Sequence, residues 1–173
     1  AFADASITNS DDSSILIDKT SSVTNLVPGE TYTITVKGNT DGNFANNIVA
    51  FIDWNQNETL DDEGEVYEIG TLTDSDGSDT TSVSMDITVP MDAVEGPTRI
   101  RITKTFGDTD SPAIINPCAI EMDAFGMGAF PGFGQALDFT LEIGTLGIDS
   151  FDTSSLKAYP VPTSDVLNLE YKS

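Results

Sequence analysis

Hydrophobic residues in this chain recur mostly at every second position, which is the rhythm of a half-buried strand. In Thr31–Lys37, Tyr32, Ile34 and Val36 alternate with threonines. The preceding Val27-Pro-Gly-Glu30 predicts a tight turn. Asn47–Trp54 is apolar at successive positions (Ile48, Val49, Ala50, Phe51, Ile52), as a central strand covered on both faces would be. Val66–Leu72 predicts a strand leading back, and Asp74–Asp79 an exposed polar turn. Thr80–Val89 alternates through Val83, Met85, Ile87 and Val89, and Pro90 stops it. Thr98–Phe106 places Ile100 and Ile102 inward, with Arg99, Arg101 and Thr103 opposite. Ala136–Ile143 repeats the rhythm with Leu137, Phe139, Leu141 and Ile143. No amphipathic helix of ordinary length is legible. Short strands at this spacing predict an all-β fold, an antiparallel β-sandwich of jelly-roll or Ig-like type.

Two regions break the rhythm. Ile120–Gln135 is rich in Gly, Phe and Met and has no strand period. A loop of that length is often functional, but Phe125, Phe130 and Phe133 could equally tuck beneath the sandwich as a plug. Gly144–Ser155 is polar and reads as a linker. The expected organisation is a sandwich over 1–145, a linker over 146–157 and the start of a further unit over 158–173. The abrupt ends read as a fragment of a longer protein.

The strongest chemical signal is Asp53-Trp-Asn-Gln-Asn-Glu-Thr-Leu-Asp-Asp-Glu-Gly-Glu65. Asp53, Asn55, Asn57, Thr59 and Asp61 put side-chain oxygens at every second position, and Glu65 follows. Calcium takes 6–8 hard oxygen ligands, and a loop with this spacing can curl around one ion. These six residues are the candidate metal ligands, with Trp54 and Leu60 turned toward the core. The loop departs from the EF-hand pattern twice: its sixth position is Glu58, not Gly, and its twelfth is Gly64, with the acid one step later. An Asx-rich surface turn is the plainer alternative.

Charge narrows the partners. The net charge of −22 comes from 29 acidic and 7 basic residues. That disfavours nucleic acid and anionic membrane surfaces. No run approaches the length of a membrane-spanning helix. The chain has no His and a single Cys, Cys118, which excludes most hydrolytic and redox site types. Arg99 and Arg101 are expected to pair with the surrounding acids rather than to clamp an anionic ligand.

Several blocks resemble the GEVED domain, a β-sandwich module of secreted bacterial proteins. They are Leu26-Val-Pro-Gly-Glu-Thr-Tyr32, Phe51-Ile-Asp-Trp-Asn-Gln-Asn57 with Gly64-Glu65, Val89–Arg101, and Pro117-Cys118. At the family's naming block this chain has Gly134-Gln-Ala-Leu-Asp138, so Gln135 and Leu137 stand where glutamates are usual and Asp138 remains. Tyr159-Pro-Val-Pro-Thr-Ser-Asp-Val-Leu-Asn-Leu169 resembles the start of a type IX secretion C-terminal sorting domain. That resemblance implies export, then release or surface attachment.

Together these readings predict a non-catalytic accessory module of a secreted enzyme or adhesin, stabilised by calcium and linked to an upstream catalytic domain. Its expected ligand is a polysaccharide, acidic or neutral, gripped by stacking aromatics: Tyr67, Phe125, Phe130 and Phe133. The alternative is a structural spacer or a protein- or cell-adhesion module with calcium as its only ligand.

Overall fold

The computed structural model describes residues 1–3, 5–11, 13–107, 113–119 and 134–144, together with the backbone of 157–159 and 168–170. Every regular element among them is a strand. In chain order these are β1 (Leu16–Leu26), β2 (Thr31–Val36), β3 (Asn39–Gly42), β4 (Ala45–Ile52), β5 (Val66–Leu72) and β6 (Ser75–Asp76). They continue with β7 (Val83–Thr88), β8 (Gly96–Gly107), β9 (Gly134–Ile143), β10 (Lys157–Tyr159) and β11 (Asn168–Glu170).

Five strands form the main sheet in the order β1-β9-β8-β4-β5, and β2 pairs with β7 separately. Ile34 of β2 and Ile87 of β7 share one buried cluster with Ile48, Ala50 and Ile52 of β4, Ile100 of β8, and Phe139, Leu141 and Ile143 of β9. The core therefore lies between the two sheets, as a β-sandwich requires. The expectation of a purely antiparallel arrangement needs correction: β1 runs parallel to β9. A long excursion separates these two strands, so no hairpin forces them antiparallel.

β4 is buried along its whole length and lies between β8 and β5, as its unbroken apolar run demands. Its second face is covered too. Val49 and Phe51 are buried there with Thr103, Ala136 and Asp138, and the backbone at Pro117 is tied over that face by Arg101. Gly134 and Gln135, read from sequence as the end of the Gly-Phe loop, are already paired in β9 with Thr105 and Lys104.

The Val27–Glu30 turn forms as expected. Glu30 N–H donates to the Val27 carbonyl at 3.1 Å, and Gly29 has φ of 83°, a conformation open to Gly at little cost. The Asp74–Asp79 turn is less exposed than expected. Ser75 is buried, and its backbone N–H donates to Thr40 Oγ1 across the β3–β6 pair.

Candidate metal site

The acidic loop joins β4 to β5, so both of its ends are held by the main sheet. Ile52 N–H donates to the Glu65 carbonyl at 2.9 Å, and Asp53 N–H to the Arg99 carbonyl at 3.2 Å. Thr98 Oγ1 donates to the Asp53 carbonyl. Trp54 turns into the core, as expected, and its Nε1–H donates to Tyr67 Oη at 2.9 Å. Tyr67 Oη in turn donates to the Gly64 carbonyl at 2.8 Å. Trp54 and Tyr67 thus brace the base of the loop from the core side.

Inside the loop the side-chain oxygens are turned toward backbone donors. Asp53 Oδ1 accepts from Asn57 N–H and Oδ2 from Glu58 N–H, both at 3.0 Å. Asn55 Oδ1 accepts from Asn57 N–H at 3.0 Å, and Asn57 Oδ1 from Thr59 N–H at 2.8 Å. These successive Asx turns curl the chain in steps of two residues. The tight path requires left-handed backbone at Gln56 (φ 54°) and Glu58 (φ 70°). Glu58 is the position where an EF-hand loop places Gly, and it adopts the conformation that favours Gly.

Glu65 closes the loop. Its Oε1 accepts from Trp54 N–H at 2.8 Å and Asn55 N–H at 3.3 Å. Its Oε2 is buried and has no hydrogen-bond partner among the described residues, and the residue as a whole is 2% exposed. Burial pushes the carboxyl above its ordinary pKa; the two N–H donors oppose that, and the charges of Asp53 and Asp62 add to it. A buried carboxylate oxygen without a donor is costly. A cation placed against Oε2 would offset that cost.

The six residues chosen from spacing are not equivalent in the fold. Asp53, Asn55, Asn57 and Glu65 are linked by the bonds above. Thr59 and Asp61 are exposed, and Thr59 enters the network through its backbone. Asp62, which the two-residue rhythm skips, accepts from Asn55 Nδ2 at 2.9 Å and from Asn57 Nδ2 at 2.7 Å on the same oxygen. Those two amides hold its carboxyl below the ordinary range. Among the described residues no three Asp, Glu or Cys side chains converge closely enough to hold a metal unaided. Any ion here would need amide and carbonyl oxygens beside the carboxylates. That all-oxygen set fits a hard cation such as calcium.

Of the candidate stacking residues, Phe125, Phe130 and Phe133 lie outside the described residues. Tyr67 is half-buried and packs against the core. Its hydroxyl is engaged on both sides, and burial raises its pKa.

A second polar centre lies on the far face of the main sheet. Arg101 Nε and Nη2 grip Asp138 Oδ1 and Oδ2 at 2.7 and 2.8 Å, and Nη1 reaches the Pro117 carbonyl at 3.0 Å. Arg99 Nη1 adds a contact to Asp138 at 3.2 Å. The arginines pair with an acid, as the sequence reading expected. Three separate blocks of the chain therefore meet at one guanidinium.

The GEVED domain family model matches residues 47–142, more than half of the chain. The chain belongs to the GEVED domain family. Neither the curated proteins nor the solved structures gave a match.

Within this GEVED domain, Asp138 of the naming block is the acid that Arg101 clamps. The two departures from that block have local reasons. Gln135 Nε2 donates to the Asp11 and Ser14 carbonyls at 2.8 and 3.1 Å, which a carboxylate could not do. Leu137 packs against the core.

Proposed function

We propose that this GEVED domain is a non-catalytic accessory module of a secreted multidomain protein, that calcium holds its Asp53–Glu65 loop, and that it binds a polysaccharide. The observation carrying the ion is the buried, unpartnered Glu65 Oε2 beside Asp53 and Asp62. Asp53, Asn55, Asn57, Asp62 and Glu65 are the residues that would supply side-chain oxygens. The ion would add electrostatic rigidity to a loop already shaped by Asx turns and braced by Trp54 and Tyr67.

The polysaccharide reading draws on the acidic surface, to which a divalent ion could bridge acidic sugars, and on the Phe-rich segment of the sequence. Export by type IX secretion draws on the likeness of Tyr159–Leu169 to a sorting domain. The division into a module over 1–145, a linker over 146–157 and a sorting segment over 158–173 belongs to the same proposal.

One observation favours a second reading, a calcium-stabilised spacer or adhesion module. Tyr67, the stacking candidate that the structure describes, spends its hydroxyl on Trp54 and Gly64. Retention on insoluble polysaccharides and on a glycan array, with and without a chelator, separates the two. Calcium-dependent retention on a glycan supports the first. Calcium-dependent melting without retention supports the second. No retention and an unchanged melting point after chelation contradict both.

A further inference from the structure

Among the described residues, Lys104 has no acid within ion-pair distance. In a chain with 29 acidic and 7 basic residues, the ion pairs among the described residues belong to Arg99 and Arg101, both with Asp138. Lys104 Nζ instead donates to the Asn39 carbonyl at 2.8 Å and to the side-chain Oδ1 of Asn46 at 3.3 Å.

The surroundings raise the reactive amine fraction above that of a solvated lysine. Lys104 stands in register with Ile48, and Asn46 with Phe106, so the two side chains are diagonal neighbours on the core face of adjacent strands. Asn46 is 2% exposed. The lysine stem lies so close to Gly38 that a Cβ there would stand 3.3 Å from Lys104 Cδ. Burial pulls the Lys104 pKa below its ordinary value, against the charge of Asp41, which raises the neutral, nucleophilic fraction. Fixing an amine against a carboxamide also replaces a bimolecular encounter by an intramolecular one, worth effective molarities on the order of 10⁵ M or more.

We propose that Lys104 and Asn46 form an intramolecular isopeptide cross-link that joins β8 to β4. The Lys104 Nζ–Asn46 Cγ bond forms and the Cγ–Nδ2 bond breaks. The Asn46 nitrogen leaves with the displaced protons as ammonium, and the lysine nitrogen becomes a neutral secondary amide. No oxidant or reductant is involved. Asp41 is the carboxylate whose charge acts on Lys104, and the ammonium released takes up the displaced protons, so the step balances without a further group. Such a link would tie together two central strands of a domain whose one cysteine is free. It depends on neither the calcium nor the polysaccharide reading.

The test is the intact mass of the folded, purified chain, measured after denaturation. The expected mass is below the sequence mass by one ammonia in most molecules. Digestion should then give a branched peptide containing both Lys104 and Asn46. Lys104→Arg and, separately, Asn46→Ser should each restore the mass expected for their own sequences. A wild-type chain at its full sequence mass overturns the proposal, with no variant needed. So does an ammonia loss that persists in Lys104→Arg, which would mark a succinimide instead.

Discussion

Glu65 and Trp54 are joined across the mouth of the acidic loop: Glu65 Oε1 accepts the Trp54 backbone N–H at 2.8 Å, while its other oxygen faces no donor. One oxygen shapes the loop, and the proposed cation would sit against the other. Glu65→Gln keeps the shape of the side chain and removes the charge. It should abolish the rise in melting temperature that calcium gives the wild type, a stabilisation of about 2.7 kcal/mol at 100-fold excess over Kd. In chelator it should melt no lower than the wild type, because an uncompensated buried charge has gone. Paired thermal melts check both outcomes.

Asp138, only 3% exposed, should be a major determinant of stability. Asp138→Ala leaves Arg101, gripped through Nε and Nη2 and with a side chain only 12% exposed, without its counter-charge. The expected loss is about 3–5 kcal/mol in urea unfolding. Arg99→Ala should cost less than about 1 kcal/mol, since that side chain is 52% exposed.

Glu58 carries left-handed backbone at φ 70°. Glu58→Gly should stabilise the domain by up to about 1 kcal/mol, the strain relieved being partly offset by the freedom of Gly in the unfolded chain. Gly29→Ala should do the reverse. Its φ is 83°, and a Cβ there would stand 2.6 Å from Met91 Sδ. Equilibrium unfolding of the two variants against wild type gives the comparison.

The turn at β6 should loosen in acid. Asp76 Oδ1 accepts from Ser78 N–H, Ser78 Oγ and Asp79 N–H at 2.8, 2.8 and 2.9 Å, and these bonds hold its pKa below the ordinary 3.8. Because the folded value is the lower one, the carboxylate's contribution is present above pH 3.8 and is lost as pH falls through the lowered value. NMR titration of the Asp76 carboxyl should give a midpoint below 3.8, and Asp76→Asn should remove this part of the acid sensitivity.

Strands with strict alternation or an unbroken apolar run were legible, as β2, β4 and β9 show, because one covered face or two leaves a direct mark on composition. β1 was not. Its middle, Asp18–Ser22, is polar, and its register with β9 shifts between Asp18 and Val23, so no period survives. The docking of Phe2 against Tyr32 and the core is a non-local contact with no local signature. In the loop, spacing singled out Asp53, Asn55 and Asn57 as candidate ligands, and in the fold the same spacing makes them a run of Asx turns. It passed over Asp62 because a two-residue period holds only while the chain keeps one curl, and the two asparagine amides converge one residue beyond Asp61. That Glu65 would cap the Trp54 N–H could not be read from residue type alone, since it depends on β4 and β5 bringing the loop's two ends together.

Calcium titrated by calorimetry into chelator-stripped protein bears most directly on the loop. Saturable heat for one ion per chain is expected, absent from Glu65→Gln and from Asp53→Ala. Heat no greater than dilution up to millimolar calcium, from protein confirmed to be folded, would contradict the metal reading.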